Sequence, residues 1–213
     1  MIFNFFLLAF FAVEFLQAKV IMLDPAGHAK QVGRQLHNSY ERAESYHFVE
    51  QLKKAIELKS QHRVLVTRAP GEAIVPLQNA SFANRTNADF FLTVHMSRQD
   101  GDQPSIDVSY LTYDTLLDQT YKDYKDTDFV PIYRAHCPSL SRSKGLAIRL
   151  VEQLVAGAPK HWGVDKKVLG LPLKDLQGIK APALVVELGL LRDREHSELV
   201  LVFAESIIAC LQE

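Results

Sequence analysis

Hydrophobic and polar positions along the chain follow two periods in turn. "VIML" (Val20 to Leu23), "RVLVT" (Arg63 to Thr67), "FFLTVH" (Phe90 to His95) and "ALVVELGLL" (Ala183 to Leu191) are short, nearly continuous apolar runs. Such runs predict strands covered on both faces, as in a parallel sheet. "DVSYLTY", Asp107 to Tyr113, alternates instead and predicts a strand with one polar face. Between these runs the spacing becomes helical. Glu41 to Ser60 repeats Phe48, Leu52, Ala55 and Ile56 on one side, with Asn38 or Ser39 as its cap. Leu77 to Asn87 follows the breaker Pro70-Gly71, and Ser143 to Val155 and Glu195 to Leu211 are two further helices.

Strands alternating with helices predict a single α/β domain: a mostly parallel, twisted sheet flanked by helices on both faces. No linker divides it. The stretch from Tyr113 to Pro138, rich in Asp, Lys and Tyr, loses both periods. It is expected to be a surface excursion, either a solvated loop or a lid or partner-binding element.

Composition narrows the class. The chain has 213 residues, enough for one domain with a real core. Its net charge of -1 provides no basic field for nucleic acid and no acidic field of a solvating chain. Residues 1–18, "MIFNFFLLAFFAVEFLQA", stand apart, with no Lys or Arg and one acid, Glu14. The run from Ile2 to Val13 is shorter than the ~20 residues that span a bilayer. It is expected to be the hydrophobic part of a signal peptide, with Ala18 before the cut, although its start lacks the usual positive charge and Leu16 is bulky for its position. Residues 19–213 are then the folded domain. The competing reading makes the run a buried N-terminal element of that domain. Cys137 and Cys210 are too few for a disulfide framework, and whether they pair is left open.

Candidate chemistry lies where the strands end. His28 follows the first strand by a short turn, His95 closes the third, and Glu187 interrupts "ALVVELGLL". Open parallel sheets build sites outside the carboxyl ends of their strands. Any one of these residues alone is most simply a hydrogen-bonded polar group. Glu187 carries the most weight, because a carboxylate in an apolar strand is costly unless it is paired, protonated or bound to something. Two histidines and a carboxylate form a catalytic zinc set with one position left for water. The first helix supplies Glu41, Glu44 and Glu50. Glu41 lies at the sheet's rim and Glu44 lies on nearly the same face one turn later, so the helix alone does not choose between them. His37, His47, His62, His136, His161 and His196 are expected to be polar surface residues.

Taken in order, "LDPAGH", the Glu that opens "ERAESYHFVEQLKKAIE", "VLVTR", "FANRTNADFFLTVH" and "VVELG" resemble the zinc-dependent N-acetylmuramoyl-L-alanine amidases of the type 3 family. Each motif is weak alone, but five in sequence, from about Lys19 to the end, are specific. The resemblance implies an amidase domain over residues 19–213, one Zn2+ per chain on His28, Glu41 and His95, and Glu187 as the catalytic carboxylate. It also implies hydrolysis of the amide between N-acetylmuramic acid and L-alanine, a peptidoglycan or muropeptide substrate, and export to the periplasm or cell envelope. It names no activator protein. Two other readings remain: a non-catalytic envelope protein that binds glycan or peptide on the same fold, and a zinc peptidase acting on another amide. The chain departs from the family pattern in several places. Ala26 is inserted between Pro25 and Gly27, Ala29-Lys30 follows His28, Asn79 replaces an Arg, and Met96-Ser97 follows His95. An Arg usual before the last strand has no counterpart near Gly163–Leu169.

Overall fold

The computed structural model describes residues 17–75, 77–113 and 131–212. All but the last two residues of the expected leader, and most of the Tyr113–Pro138 excursion, lie outside the described residues. Seven strands form one sheet: β1 (Val20–Pro25), β2 (Arg63–Val66), β3 (Phe90–Arg98), β4 (Ser105–Leu111), β5 (Gly163–Val164), β6 (Leu169–Leu171) and β7 (Ala183–Leu190). Their order is β2-β1-β3-β7-β4, and the short β5 and β6 both pair with β4. Every pairing is parallel except β4 with β7.

Three of the continuous apolar runs became the central strands β1, β3 and β7, whose two faces are both covered, while the fourth became β2 at the sheet's edge, only partly buried. Phe90, Leu92, Val94 and Met96 of β3, with Leu184, Val186 and Leu188 of β7, enter the larger core. That core is closed by α1 (Glu41–Lys59), α3 (Leu140–Gly157) and α4 (Val200–Leu211), through Phe48, Leu52, Leu150, Phe203 and Ile207 among others. The alternate residues Phe91, Ala183 and Val185 face a smaller core with Ala80 and Ala83 of α2 (Gln78–Arg85).

The two-residue period of the strands determines where the site lies. On the smaller-core face the apolar cover stops partway along each strand. Met22 gives way to Asp24, Phe91 to Thr93 and His95, and Val185 to Glu187. His95 and Glu187 are register partners on adjacent strands, and Asp107 of β4 is the register partner of Glu187 on the other side. The three therefore form a row across β3, β7 and β4 on one face of the sheet.

Some elements differ from the sequence expectation. Neither Asn38 nor Ser39 caps α1: the cap is Tyr40, without a side-chain bond. Instead, carbonyls of the incoming loop accept the first N–H groups, Arg34 O from Glu41 at 2.9 Å and Val32 O from Arg42 at 3.1 Å. This backbone capping presses residues 32–34 against the start of the helix. Glu195–Leu211 divides into a 3-10 turn (Glu195–Leu199) and α4. The edge strands β5 and β6, of two and three residues, are too short to show a period. His62, His136 and His196 are buried where surface positions were expected. Cys210 belongs to the larger core. Among the described residues, no helix is long and apolar enough to cross a membrane.

Candidate active site

The chain leaves β1 through a turn that needs glycine. Gly27 has φ +76, and a Cβ there would sit 3.0 Å from both Arg42 Cβ and Gln31 O. The inserted Ala26 is accommodated by burial, and its carbonyl accepts from Ser45 Oγ at 2.9 Å and from Arg68 Nη2 at 3.1 Å. Arg68, the last residue of "VLVTR", also donates to Pro25 O and Arg42 O, lacing this turn to α1. His28 follows, pinned by reciprocal backbone bonds with Gln31. His28 lines a cavity of about 530 Å³ together with Asp24, Glu41, Thr93, His95 and Asp175, and its Nδ1 accepts from Lys30 N–H at 3.3 Å.

Glu41 stands at the first position of α1, 4% exposed. Its Oε1 accepts from Met96 N–H at 3.1 Å and Arg34 Nη2 at 3.0 Å, and its Oε2 accepts from Arg34 N–H at 3.0 Å. Gly33 makes this approach possible, since a Cβ there would lie 2.6 Å from Glu41 Oε2. Both ring nitrogens of His95 meet carboxylates: Nδ1 lies 2.9 Å from Glu41 Oε1 and Nε2 lies 2.8 Å from Asp175 Oδ2. Burial alone would raise the pKa of Glu41. The bonds from His95, the Arg34 guanidinium and the two backbone N–H groups outweigh burial and hold it at about 2. Burial would likewise lower the pKa of His95, but Asp175 and Glu41 push it up to about 9.

Glu187 is less buried than its apolar strand suggested, with its side chain 40% exposed. Arg34 Nη1 meets its Oε1 at 2.6 Å while the same guanidinium binds Glu41. Arg34 thus joins the two carboxylates on which the chemistry would depend. It stands in a loop without periodicity, as does Asp175, and no sequence signal singled out either residue.

Beneath the cavity, Asp24 is buried and accepts from Thr67 Oγ1 at 2.6 Å, Asn79 Nδ2 at 2.9 Å and Thr93 Oγ1 at 3.2 Å. Asn79, one of the departures from the family pattern, therefore has a structural task. Burial pushes the Asp24 carboxyl up from 3.8 to about 6, only partly opposed by the two hydroxyls. A raised folded pKa means that the native state binds this proton more tightly than the unfolded chain. The resulting stability is fully present below pH 3.8 and is lost as pH rises through about 6. The loss is at most about 3 kcal/mol. Asn at this position keeps all three contacts if the Thr93 hydroxyl turns to accept. Urea unfolding of wild type between pH 3.5 and 7 should fall off across that window, and Asp24→Asn should flatten that part of the profile.

Of the four residues expected at the site, the structure joins Glu41 to His95, pairs Glu187 with His95 in register, and sets His28 on the wall of the same cavity. The donor atoms of His28, Glu41 and His95 are not all within 4.8 Å of one another. The donor set nonetheless suits zinc. A tetrahedral ion with bonds of 2.0–2.2 Å holds its ligand atoms roughly 3.3 Å apart, close to the Glu41–His95 separation. Among the described residues, a closer-spaced group is His161, Glu195 and Glu198, none of which lines the cavity. Its carboxylates are already used: Glu198 accepts from Trp162 Nε1 and pairs with His161, and Glu195 accepts from the N–H groups of Leu191 and Arg192.

The sequence profile of the N-acetylmuramoyl-L-alanine amidase family matches residues 21–201. No curated sequence matches the chain. The solved structures that share the fold include three such amidases. The N-acetylmuramoyl-L-alanine amidase AmiC2 of Nostoc punctiforme has a TM-score of 0.66 at 15% identity, covering 92% of this chain and 98% of that one. The N-acetylmuramoyl-L-alanine amidase from Clostridium difficile 630 has a TM-score of 0.62 at 18% identity, covering 91% and 95%. The catalytic domain of the N-acetylmuramoyl-L-alanine amidase CwlV from Bacillus (Paenibacillus) polymyxa var. colistinus has a TM-score of 0.60 at 14% identity, covering 91% and 95%.

Proposed function

The chain belongs to the N-acetylmuramoyl-L-alanine amidase family, and from that premise we propose that it is an exported, zinc-dependent hydrolase of the amide bond between N-acetylmuramic acid and L-alanine in peptidoglycan. His28, Glu41 and His95 hold one zinc ion per chain. Bound there, zinc polarises a carbonyl and lowers the pKa of water towards ~7. Glu187 takes the proton of the attacking water on a carboxylate oxygen and returns it to the departing nitrogen. Arg34 keeps the Glu187 carboxylate in place through its 2.6 Å contact. The open row of His95, Glu187 and Asp107 across three strands is the surface on which the scissile amide lies.

The observation that carries this reading is the joint placement of Glu41 on His95 and of Glu187 beside His95 in register, in the carboxyl-terminal halves of two parallel strands. Residues 1–18 act as the leader, and the substrate is peptidoglycan or a muropeptide in the periplasm or cell envelope. One observation favours a second reading. The Arg34 guanidinium already neutralises both Glu41 and Glu187, which suits an envelope protein that binds glycan or peptide without cutting it.

Digestion of purified peptidoglycan by the zinc-loaded protein, with products identified by mass spectrometry, separates these readings. The expected products are peptides with a free L-alanine amino terminus and glycan strands with intact lactyl groups. Retention on the polymer without released peptide would establish the binding reading, and release at another amide would make the protein a peptidase.

A further inference from the structure

We propose that Asp175 is the positioning residue for His95: it accepts the Nε2 proton and so reserves Nδ1, the nitrogen facing Glu41, for the metal. The inference rests on the zinc reading above. A neutral imidazole has one N–H and one lone pair, and whatever takes the proton on one nitrogen determines the task of the other. Asp175 Oδ2 lies 2.8 Å from Nε2, the distance of a charge-assisted bond. On the other side of the ring, Glu41 does not depend on a proton from Nδ1. Its carboxylate is already oriented by Met96 N–H, Arg34 N–H and the Arg34 guanidinium. Removing the proton from Nδ1 leaves Glu41 in place, with Oε1 and Nδ1 side by side as two donors to one ion. The opposite assignment, with the metal on Nε2, would displace Asp175 and leave Glu41 serving His95 in place of the metal.

The mounting of Asp175 suits a positioning role. It sits in a one-turn 3-10 segment, Lys174–Leu176, closed by Gln177 N–H to Lys174 O at 3.0 Å. Leu176 and Ile179 are fully buried in the smaller core, on the sheet face that carries His95, and anchor that turn. The Asp175 side chain is itself 51% exposed, so its charge stays solvated and the core does not need it. Carboxylate partners of this kind fix the tautomer and ring orientation of metal-binding histidines, and their loss costs about 10- to 100-fold in metal affinity.

Zinc affinity by chelator competition and 15N NMR of the His95 ring, both on the full folded protein, test this. Asp175→Ala should bind zinc about 10- to 100-fold more weakly with an unchanged unfolding midpoint. Asp175→Asn keeps a carbonyl oxygen to accept the proton and should recover most of that loss. In zinc-loaded wild type, the ring proton should reside on Nε2. Wild-type affinity in Asp175→Ala, or a ring proton on Nδ1, would overturn the proposal while leaving the zinc site standing. So would an Asn variant as weak as the Ala variant, since Asp175 would then be a ligand in its own right. Wild type that takes up no zinc would overturn both this proposal and the reading beneath it.

Discussion

Glu187→Gln is expected to retain zinc and the fold while losing about 10²- to 10⁴-fold in turnover, the usual contribution of general acid–base catalysis. The amide is nearly isosteric with the carboxylate but cannot accept and release a proton at working pH. The fold should tolerate the change, because the side chain is 40% exposed and its ion pair with Arg34 is also solvent-facing. A purely structural Glu187 predicts wild-type turnover in the same variant. Measuring hydrolysis and bound zinc on one preparation therefore separates the two roles. Wild-type hydrolysis by the Gln variant would falsify the assignment of the base.

The second large effect distinguishes Glu41 from Glu44, which stand three residues apart on one helix. Glu41→Ala should abolish zinc retention, because it removes a donor and leaves Arg34 and the N–H of Met96 facing an empty position. Glu44→Ala should retain zinc and instead lose stability. Glu44 Oε2 meets Nε2 of His196 at 2.9 Å, and His196 is fully buried against Phe48. Stranding that nitrogen without a partner costs about 1–3 kcal/mol. Metal titration and urea unfolding of the two variants should give opposite rankings. Zinc loss in Glu44→Ala with retention in Glu41→Ala would mean that the ligand and the structural acid have been exchanged.

The four apolar runs became β1, β2, β3 and β7, and for β1, β3 and β7 continuity marked strands buried on both faces, whereas the equally apolar β2 lies at the sheet's edge and is only partly buried. The alternation of "DVSYLTY" marked β4 because that strand keeps one open face beyond the apolar cover. Glu41 and Glu44 show where one-dimensional reading ends. Helical periodicity puts them on similar faces, and only the loop packed beneath Glu41, with Gly33 and Arg34, turns one acid to the cavity while His196 takes the other. The burial of His196 had no local signal either, since its partners are some 150 positions away along the chain.

The residues by themselves determined the α/β class, the central strands, the placement of His28 just after β1 and of His95 and Glu187 on β3 and β7 and, through five ordered motifs, the family, although β3 runs three residues past His95 instead of closing on it. These follow from local periods of two and 3.6 and from the turn residues between them, which neighbouring residues fully encode. Only the tertiary structure decided that β4 runs against β7, that Arg34 bridges Glu41 and Glu187, and that Asp175 holds His95 across 80 positions of sequence. Those contacts are made by aperiodic loops whose conformation depends on what packs beneath them: backbone carbonyls capping α1 in one case, and Leu176 and Ile179 sunk into the smaller core in the other. Charge and hydrogen-bond complementarity between such segments has no sequence period, so it exists only once the sheet has brought the strand ends together.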